Sequence, residues 1–415
     1  MRYLFLHPVF PGQFLRVMES LAAIPGNEVI HLSTQSAMQA IPGVKKLQYK
    51  VPAKSITQGH SFTGKFEESI HHAQAAAKVA LNLKKKGFVP DLIYGYAGWG
   101  PTLFMKDIFP GVPLVGYFEW FLNAFGSEYN FDPHNLLPLE NQMYLRVFNA
   151  NMLLDLHGCD FGVTPTQWQQ RQFPHEFRSK LRVLHDGVDT DYYQPKPGLG
   201  LQLPGIKLDG NTRIVTYVTR GMEPFRGFPQ FMRALALLQK KHTDCHAVIV
   251  GSQEIHYSKR LPNGKNYKDL LLEELEGKLD LGRVHFTGWL EKEQYRQVLQ
   301  ASSVHVYLTY PYVLSWSLME AMAAGCLVIG SRTSPVEEVI TDGVNGLLVD
   351  FFDHQALAER LDEALNSSHR ESALRSNARQ LVIDRYDIKK VVTQHLALLQ
   401  QFSDSYSLDK IAPAI

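Results

Sequence analysis

Short apolar runs alternate with longer stretches of helical spacing along most of the chain. In the N-terminal half RYLFLHP (2–8), NEVIHLS (27–33), PDLIYGY (90–96), VPLVGYF (112–118) and CDFGVTP (159–165) predict strands. Helical patterns run through Leu21 and over 66–86. Continuously apolar strands predict a parallel sheet covered on both faces. The stretch HDGVDTDYYQPKPGLGLQLPGIKLDGN (185–211) is dense in Gly, Pro and Asp, lacks a sustained period, and predicts an interdomain linker. Alternation then restarts with TRIVTYV (212–218), HAVIVGS (246–252), RVHFTGW (283–289), VHVYLTY (304–310), CLVIGS (326–331) and NGLLVD (345–350). From 353 the chain reads as helical, ending near Phe402. The expectation is an α/β protein of two Rossmann-like domains, 1–190 and 200–387, followed by a helical segment over about 388–415. Ligands of such sheets bind outside the carboxyl ends of the strands, so two sets of strand-end loops are expected to face each other across a cleft.

Composition narrows the function classes. The 42 Lys+Arg and 41 Asp+Glu of the 415 residues leave a net charge of +1, without the global basic footprint of a nucleic-acid binder. Cys159, Cys245 and Cys326 are odd in number and widely spaced, which argues against a disulfide framework or structural zinc and for a reducing compartment. No apolar run approaches the length of a transmembrane span, and a strand starting at Arg2 leaves no room for a signal peptide. A cytoplasmic location is expected, with peripheral contact at the inner membrane face compatible with it. Lys84, Lys85 and Lys86 before Gly87 read first as a solvated helix end complementing the dipole.

Two loops of the second half carry candidate chemistry. In TRGMEPFRGFPQF (219–231), Arg220 ends a strand and Arg226 precedes a helix that Pro229 can open. Two guanidiniums beside a helix N-terminus suit phosphate oxygens, while a pairing with Glu223 would make both arginines ordinary surface residues. In YPYVLSWSLMEAMAAGCLVIGS (310–331), the amides around Ser315, Trp316 and Ser317 would add donors for a phosphate. Ser317 and Glu320 fit a capping box; alternatively Glu320 accepts two hydrogen bonds from a sugar diol, each contributing about 1.5–3 kcal/mol. In the first half, Gly12 either lets the backbone approach a phosphate or sugar or simply makes a tight turn. Glu119, at a strand end, either orients a sugar hydroxyl or closes a salt bridge. Asp189-Thr190-Asp191 imitates a metal-binding acidic pair, and turn chemistry accounts for it better. Neither a GxGxxG after a first strand nor a phosphate-binding GxxxxGK[ST] occurs, which demotes dehydrogenase and P-loop chemistry.

Together HDGVDTDYYQP, TRGMEPFRG, LMEAMAAGCLVIGS, EEVITDGVNGLLV and FPGQF resemble a family 4 glycosyltransferase of the two-domain GT-B fold, over most of the chain. The resemblance implies a parallel sheet in each domain and a C-terminal segment returning to the N-terminal domain. It implies a metal-independent, retaining transfer of a hexose from a nucleoside diphosphate sugar, a UDP- or GDP-sugar, to an acceptor hydroxyl, without a bound cofactor. By the same resemblance Arg220 and Arg226 hold the diphosphate and Glu320 the ribose. Gly12, Gly288, Trp289, Leu290, Tyr312, Ser315, Trp316, Ser317 and Leu318 would line the donor, and Glu119 would stand where the family often has a histidine. Tyr312 replaces a usual carboxylate and, with Glu119, motivates the alternative of a catalytically silent homologue acting in a glycosylation complex. The acceptor class, whether saccharide, lipid-linked saccharide, protein or small molecule, and homo-oligomerisation are not readable from the residues.

Overall fold

The computed structural model describes residues 1–35, 40–51, 60–366 and 369–409. The chain divides into two compact units, one of Met1–Gly187 with Ile388–Ile415, the other of Val188–Asp387. Residues 410–415 of the expected C-terminal segment lie outside the described residues.

The first unit holds β1 (Arg2–Leu6), β2 (Glu28–Ser33), β3 (Val44–Gln48), β4 (Leu92–Tyr96), β5 (Leu114–Tyr117), β6 (Phe161–Thr164) and β7 (Leu181–Val183). They form one parallel sheet in the order β3-β2-β1-β4-β5-β6-β7. The inner strands are buried almost throughout, as continuous apolar runs require. The two edge strands carry Lys45, Lys46 and Arg182 and stay partly exposed, so they escape a reading based on apolar runs. Val17, Met18 and Leu21 of the helix Leu15–Ala22 pack into one core with Leu399 and Phe402 of the C-terminal helix Ile388–Asp409. Phe402 stacks on Phe161 at 4.1 Å, and Lys106 Nζ donates to Tyr406 Oη at 2.8 Å. These contacts dock the last helix on the N-terminal unit.

The second unit opens with β8 (Leu201–Leu203) and β9 (Ile206–Leu208), an antiparallel hairpin. This corrects the linker expectation for 185–211. Leu201 and Leu203 are buried against Ile214, Val248 and Val250, so these residues belong to a core. The hairpin was legible as Leu-Gln-Leu, then Pro204-Gly205, then Ile-Lys-Leu: alternation around a two-residue turn. The remaining strands are β10 (Arg213–Gly221), β11 (Cys245–Ser252), β12 (Val284–Gly288), β13 (Val304–Tyr307), β14 (Val328–Ser331) and β15 (Leu347–Val349). Their parallel order is β12-β11-β10-β13-β14-β15, which places a topological switch point between β10 and β13. The helix Phe228–Lys241 buries Phe228, Phe231, Met232, Leu235 and Leu238 at helical spacing and ends on Lys240 and Lys241. All three cysteines are free and buried. Among the described residues no helix is long and apolar enough to cross a membrane.

Candidate functional site

At the switch point of the second unit, the chain leaves β10 through Met222-Glu223-Pro224-Phe225-Arg226 and enters the helix Phe228–Lys241 at Gly227. Gly227 has φ of +70°, and a Cβ there would stand 2.4 Å from Leu308, so both backbone angle and packing require glycine. Glu223 is fully buried, yet it is no partner of the arginines. Its carboxylate accepts the backbone amides of His256, Tyr257 and Ser258 at 3.3, 3.0 and 2.6 Å, tying the loop after β11 to the loop after β10. The pairing of Glu223 with Arg220 or Arg226 is therefore set aside.

Arg226 is half-buried, and its acceptors are neutral. Nη1 donates to Thr309 Oγ1 at 2.7 Å and to the Val313 carbonyl at 3.4 Å, both beyond the end of β13. The Tyr217 hydroxyl donates to the Arg226 carbonyl at 2.7 Å and fixes the loop from below. The guanidinium carbon lies 5.5 Å from the Tyr257 ring centre, 5.9 Å from Phe225 and 6.0 Å from Tyr312. Among the described residues no carboxylate pairs with it. Arg220, six residues earlier, is exposed and likewise has no ion pair among the described residues. The sequence pattern marks both arginines and Tyr312, but not Tyr217 or Tyr257, which arrive from separate segments.

The loop after β13 runs through Tyr310 and Tyr312 into the helix Trp316–Ala323. The capping-box reading of Ser317 and Glu320 does not hold. Ser315 is the cap, with Oγ accepting the Ser317 amide at 3.3 Å, and Glu320 is the fifth helical residue, beyond reach of the cap. The Ser315 amide donates to the Tyr307 hydroxyl at 2.8 Å, so two of the three amides expected to face a phosphate already have partners inside the loop. Trp316 is exposed and Leu318 buried in the core. The Glu320 carboxylate accepts the Tyr295 hydroxyl at 2.7 Å, and the Tyr193 hydroxyl lies beside it. Burial pushes this carboxyl above the ordinary range; the two tyrosine donors and the Lys292 charge oppose that.

Gly288 ends β12 at the edge of the sheet, and Trp289 and Leu290 follow it. Gly288 takes φ of +68°. Trp289 and Leu290 line a pocket of about 430 Å³ with Leu203, Pro204 and Ile206 of the β8–β9 hairpin, not with Arg226. Asp189 accepts the Tyr192 amide at 2.9 Å, which accounts for this acidic residue as turn chemistry.

In the first unit the polar groups at the strand ends form a continuous network. After β1 the His7 ring accepts the Val9 amide on Nδ1 at 2.9 Å, which makes Nε2 the donor to Gln13 Oε1, also 2.9 Å away. Gln13 Nε2 donates to Glu119 Oε1 at 3.4 Å, and the Tyr96 hydroxyl donates to Glu119 Oε2 at 2.5 Å. Gln169 Nε2 holds the Glu119 carbonyl at 2.7 Å. Burial lowers His7 to about 4, against the opposing hydrogen bonds of Gln13 and Val9, so the ring stays neutral. Gly12 turns the chain at φ of +58°, and a Cβ there would come within 2.8 Å of the His7 ring. The glycine is thus explained by the packing of His7.

Residues 25–193 match the glycosyl transferase family 4 group, and residues 203–381 match glycosyl transferases group 1. The D-inositol 3-phosphate glycosyltransferase of Mycolicibacterium vanbaalenii is 29% identical over 190 residues, 45% of this chain and 41% of that protein. The α-(1→4)-mannosyltransferase of Mycolicibacterium hassiacum is 26% identical over 243 residues, 58% of this chain and 50% of that protein. The matched regions thus span about half or less of these curated relatives. Anabaena HepE, solved with UDP-glucose, superposes with a TM-score of 0.68 over 97% of this chain and all of that one, at 19% identity. The two parallel-sheet units, the family segments that occupy them and these likenesses place the chain among the family 4 glycosyltransferases of GT-B type.

Proposed function

We propose that the protein transfers a hexose from a nucleoside diphosphate sugar, a UDP- or GDP-sugar, to an acceptor hydroxyl with retention at the anomeric carbon. The observation that carries this reading is Arg226: a half-buried cation at the switch point of the second sheet, bonded among the described residues only to neutral groups. A guanidinium so placed is matched by an anion from outside, and its fork suits a diphosphate. As the bond to the sugar breaks, charge builds on the leaving diphosphate. Arg226, assisted by the exposed Arg220, would hold that charge without a metal ion. Glu320 remains the candidate for the ribose diol, with Tyr312, Trp316 and the Ser315–Ser317 turn beside the same strand ends. In the N-terminal unit, the Glu119 network supplies a carboxylate fixed from both oxygens, suited to orienting a sugar hydroxyl. Anabaena HepE was solved with UDP-glucose, which supports a uridine donor as the first to try.

A thermal-shift screen against UDP-, GDP- and ADP-sugars tests the reading. A ligand at about 100 times its dissociation constant adds about 2.7 kcal/mol of stability, so one donor class should raise the melting temperature clearly above the others. No shift with any nucleoside diphosphate sugar would reject it.

A further inference from the structure

We infer that Tyr295 and Tyr193 are positioning residues for Glu320, turning its carboxylate so that only the acceptor positions needed by a cis-diol remain open. The inference rests on the nucleotide-sugar reading above and extends it to Tyr295, which no motif marks, and to Tyr193 of the HDGVDTDYYQP stretch.

The geometry is specific. Tyr295 lies on the helix Lys292–Gln300 and donates to Glu320 Oε2 at 2.7 Å. Tyr193 precedes the hairpin, and its hydroxyl lies beside the same carboxylate. Neither side chain is free to drift. The two rings pack edge to face with centres 6.1 Å apart, and the Tyr193 ring is buried. The Tyr193 backbone is pinned at both polar atoms, its amide by the Asp189 carbonyl at 2.9 Å and its carbonyl by Arg379 Nη1, also at 2.9 Å. An ionised carboxylate offers about four acceptor positions. Two tyrosine hydroxyls leave about two, the number that a vicinal diol fills with one donor each. A glutamate serving only to stabilise its own helix would need neither partner, because Glu320 is too far from the cap to reach it.

Both phenols are held above their ordinary range, Tyr295 by burial and then the Glu320 charge, and Tyr193 by the same two causes. They therefore stay protonated and donate. The groups facing Glu320 are Tyr193, Tyr295 and, at longer range, Lys292. Loss of one hydroxyl removes a stabiliser of the charged carboxylate, so the carboxyl would protonate at higher pH.

The test is calorimetric titration of the full chain with UDP and GDP and with their 2′-deoxy forms, for the wild type and for Glu320→Gln, Tyr295→Phe and Tyr193→Phe. The wild type should prefer the ribonucleotide by about tenfold, and Glu320→Gln should abolish most of that preference. Each Tyr→Phe variant should shrink the preference to about twofold or threefold, and the pH below which binding fails should move upward. A merely structural role would weaken ribo and deoxy forms equally and leave the pH limb in place. If Glu320→Gln removes the preference while both phenylalanine variants keep it, the positioning role falls and the ribose role stands. If the wild type binds neither nucleotide, or shows no preference that Glu320→Gln alters, the ribose reading itself falls and this inference with it.

Discussion

The carboxyl ends of both sheets carry acids paired by their own neighbours, but only the second adds arginines without a carboxylate partner among the described residues. In the N-terminal unit the acids are satisfied by their own neighbours: Glu119 by Gln13 and Tyr96, Asp186 by Tyr117, and Asp155 by the Gly98 amide and the Thr102 hydroxyl. In the second unit Arg226 and Arg220 have no carboxylate partner among the described residues. A network that is complete without a ligand is suited to orientation. A half-buried charge left unmatched implies a ligand of the other sign. On the proposed function, anion binding falls to the second unit and orientation to the polar network of the first.

Arg226→Ala should break this comparison most severely. Turnover is expected to fall about 10²–10³-fold, as for loss of one preorganised donor, while the melting temperature changes little because the partners of the Arg226 side chain, Thr309 and the Val313 carbonyl among them, are neutral. Loss of fold with normal residual kinetics would make Arg226 structural. Next comes Glu320→Gln, for which calorimetry should find donor affinity about tenfold weaker, on the order of 1.4 kcal/mol. Glu119→Gln should act less, reducing turnover by roughly fivefold with donor affinity preserved, because the amide can still accept from Tyr96.

The smallest effect lies in stability against acid. Burial lowers His185 and His395 to about 4, with His395 adding to the effect on His185, and lowers His31 to about 3 with help from His7 and Lys46. With His7 at about 4 and the lowered His72 these sit in the N-terminal unit, against His305, at about 4 by burial, and the lowered His246 and His285 in the other. A depressed histidine contributes stability that is complete above about 6.5 and is lost as pH falls toward 4. Glu128 and Asp155, raised by burial to about 7 and about 6, act in the opposite direction, because their neutral forms favour the fold at low pH. The histidines outnumber them. Hydrogen exchange between pH 6.5 and 4.5 should therefore show peptides of 1–187 opening before those of 188–387.

Much of the architecture was legible because inner parallel strands are apolar on both faces and need no context to be seen. The edge strands of the first sheet were not, since Lys45, Lys46 and Arg182 hide them. The β8–β9 hairpin was obscured by the Gly and Pro around it, although Pro204-Gly205 carried its signal. Arg226 was readable from its place between a strand and Pro229. Its setting was not, because Tyr217, Tyr257 and Tyr312 converge only when three strand ends are brought together. Glu320 shows the hazard of spacing alone: Ser317 and Glu320 imitate a cap that the helix, starting two residues earlier, places on Ser315.

The central claim is that the Arg226 charge is matched by a diphosphate. The direct measurement is calorimetric titration of wild type and Arg226→Ala with UDP and with uridine, and with the guanosine pair if the uridine ligands do not bind. The account predicts that the variant loses at least about tenfold, roughly 1.4 kcal/mol, for the diphosphate and nothing for the nucleoside. Equal affinities for the diphosphate in both proteins, or equal losses for diphosphate and nucleoside, would contradict it.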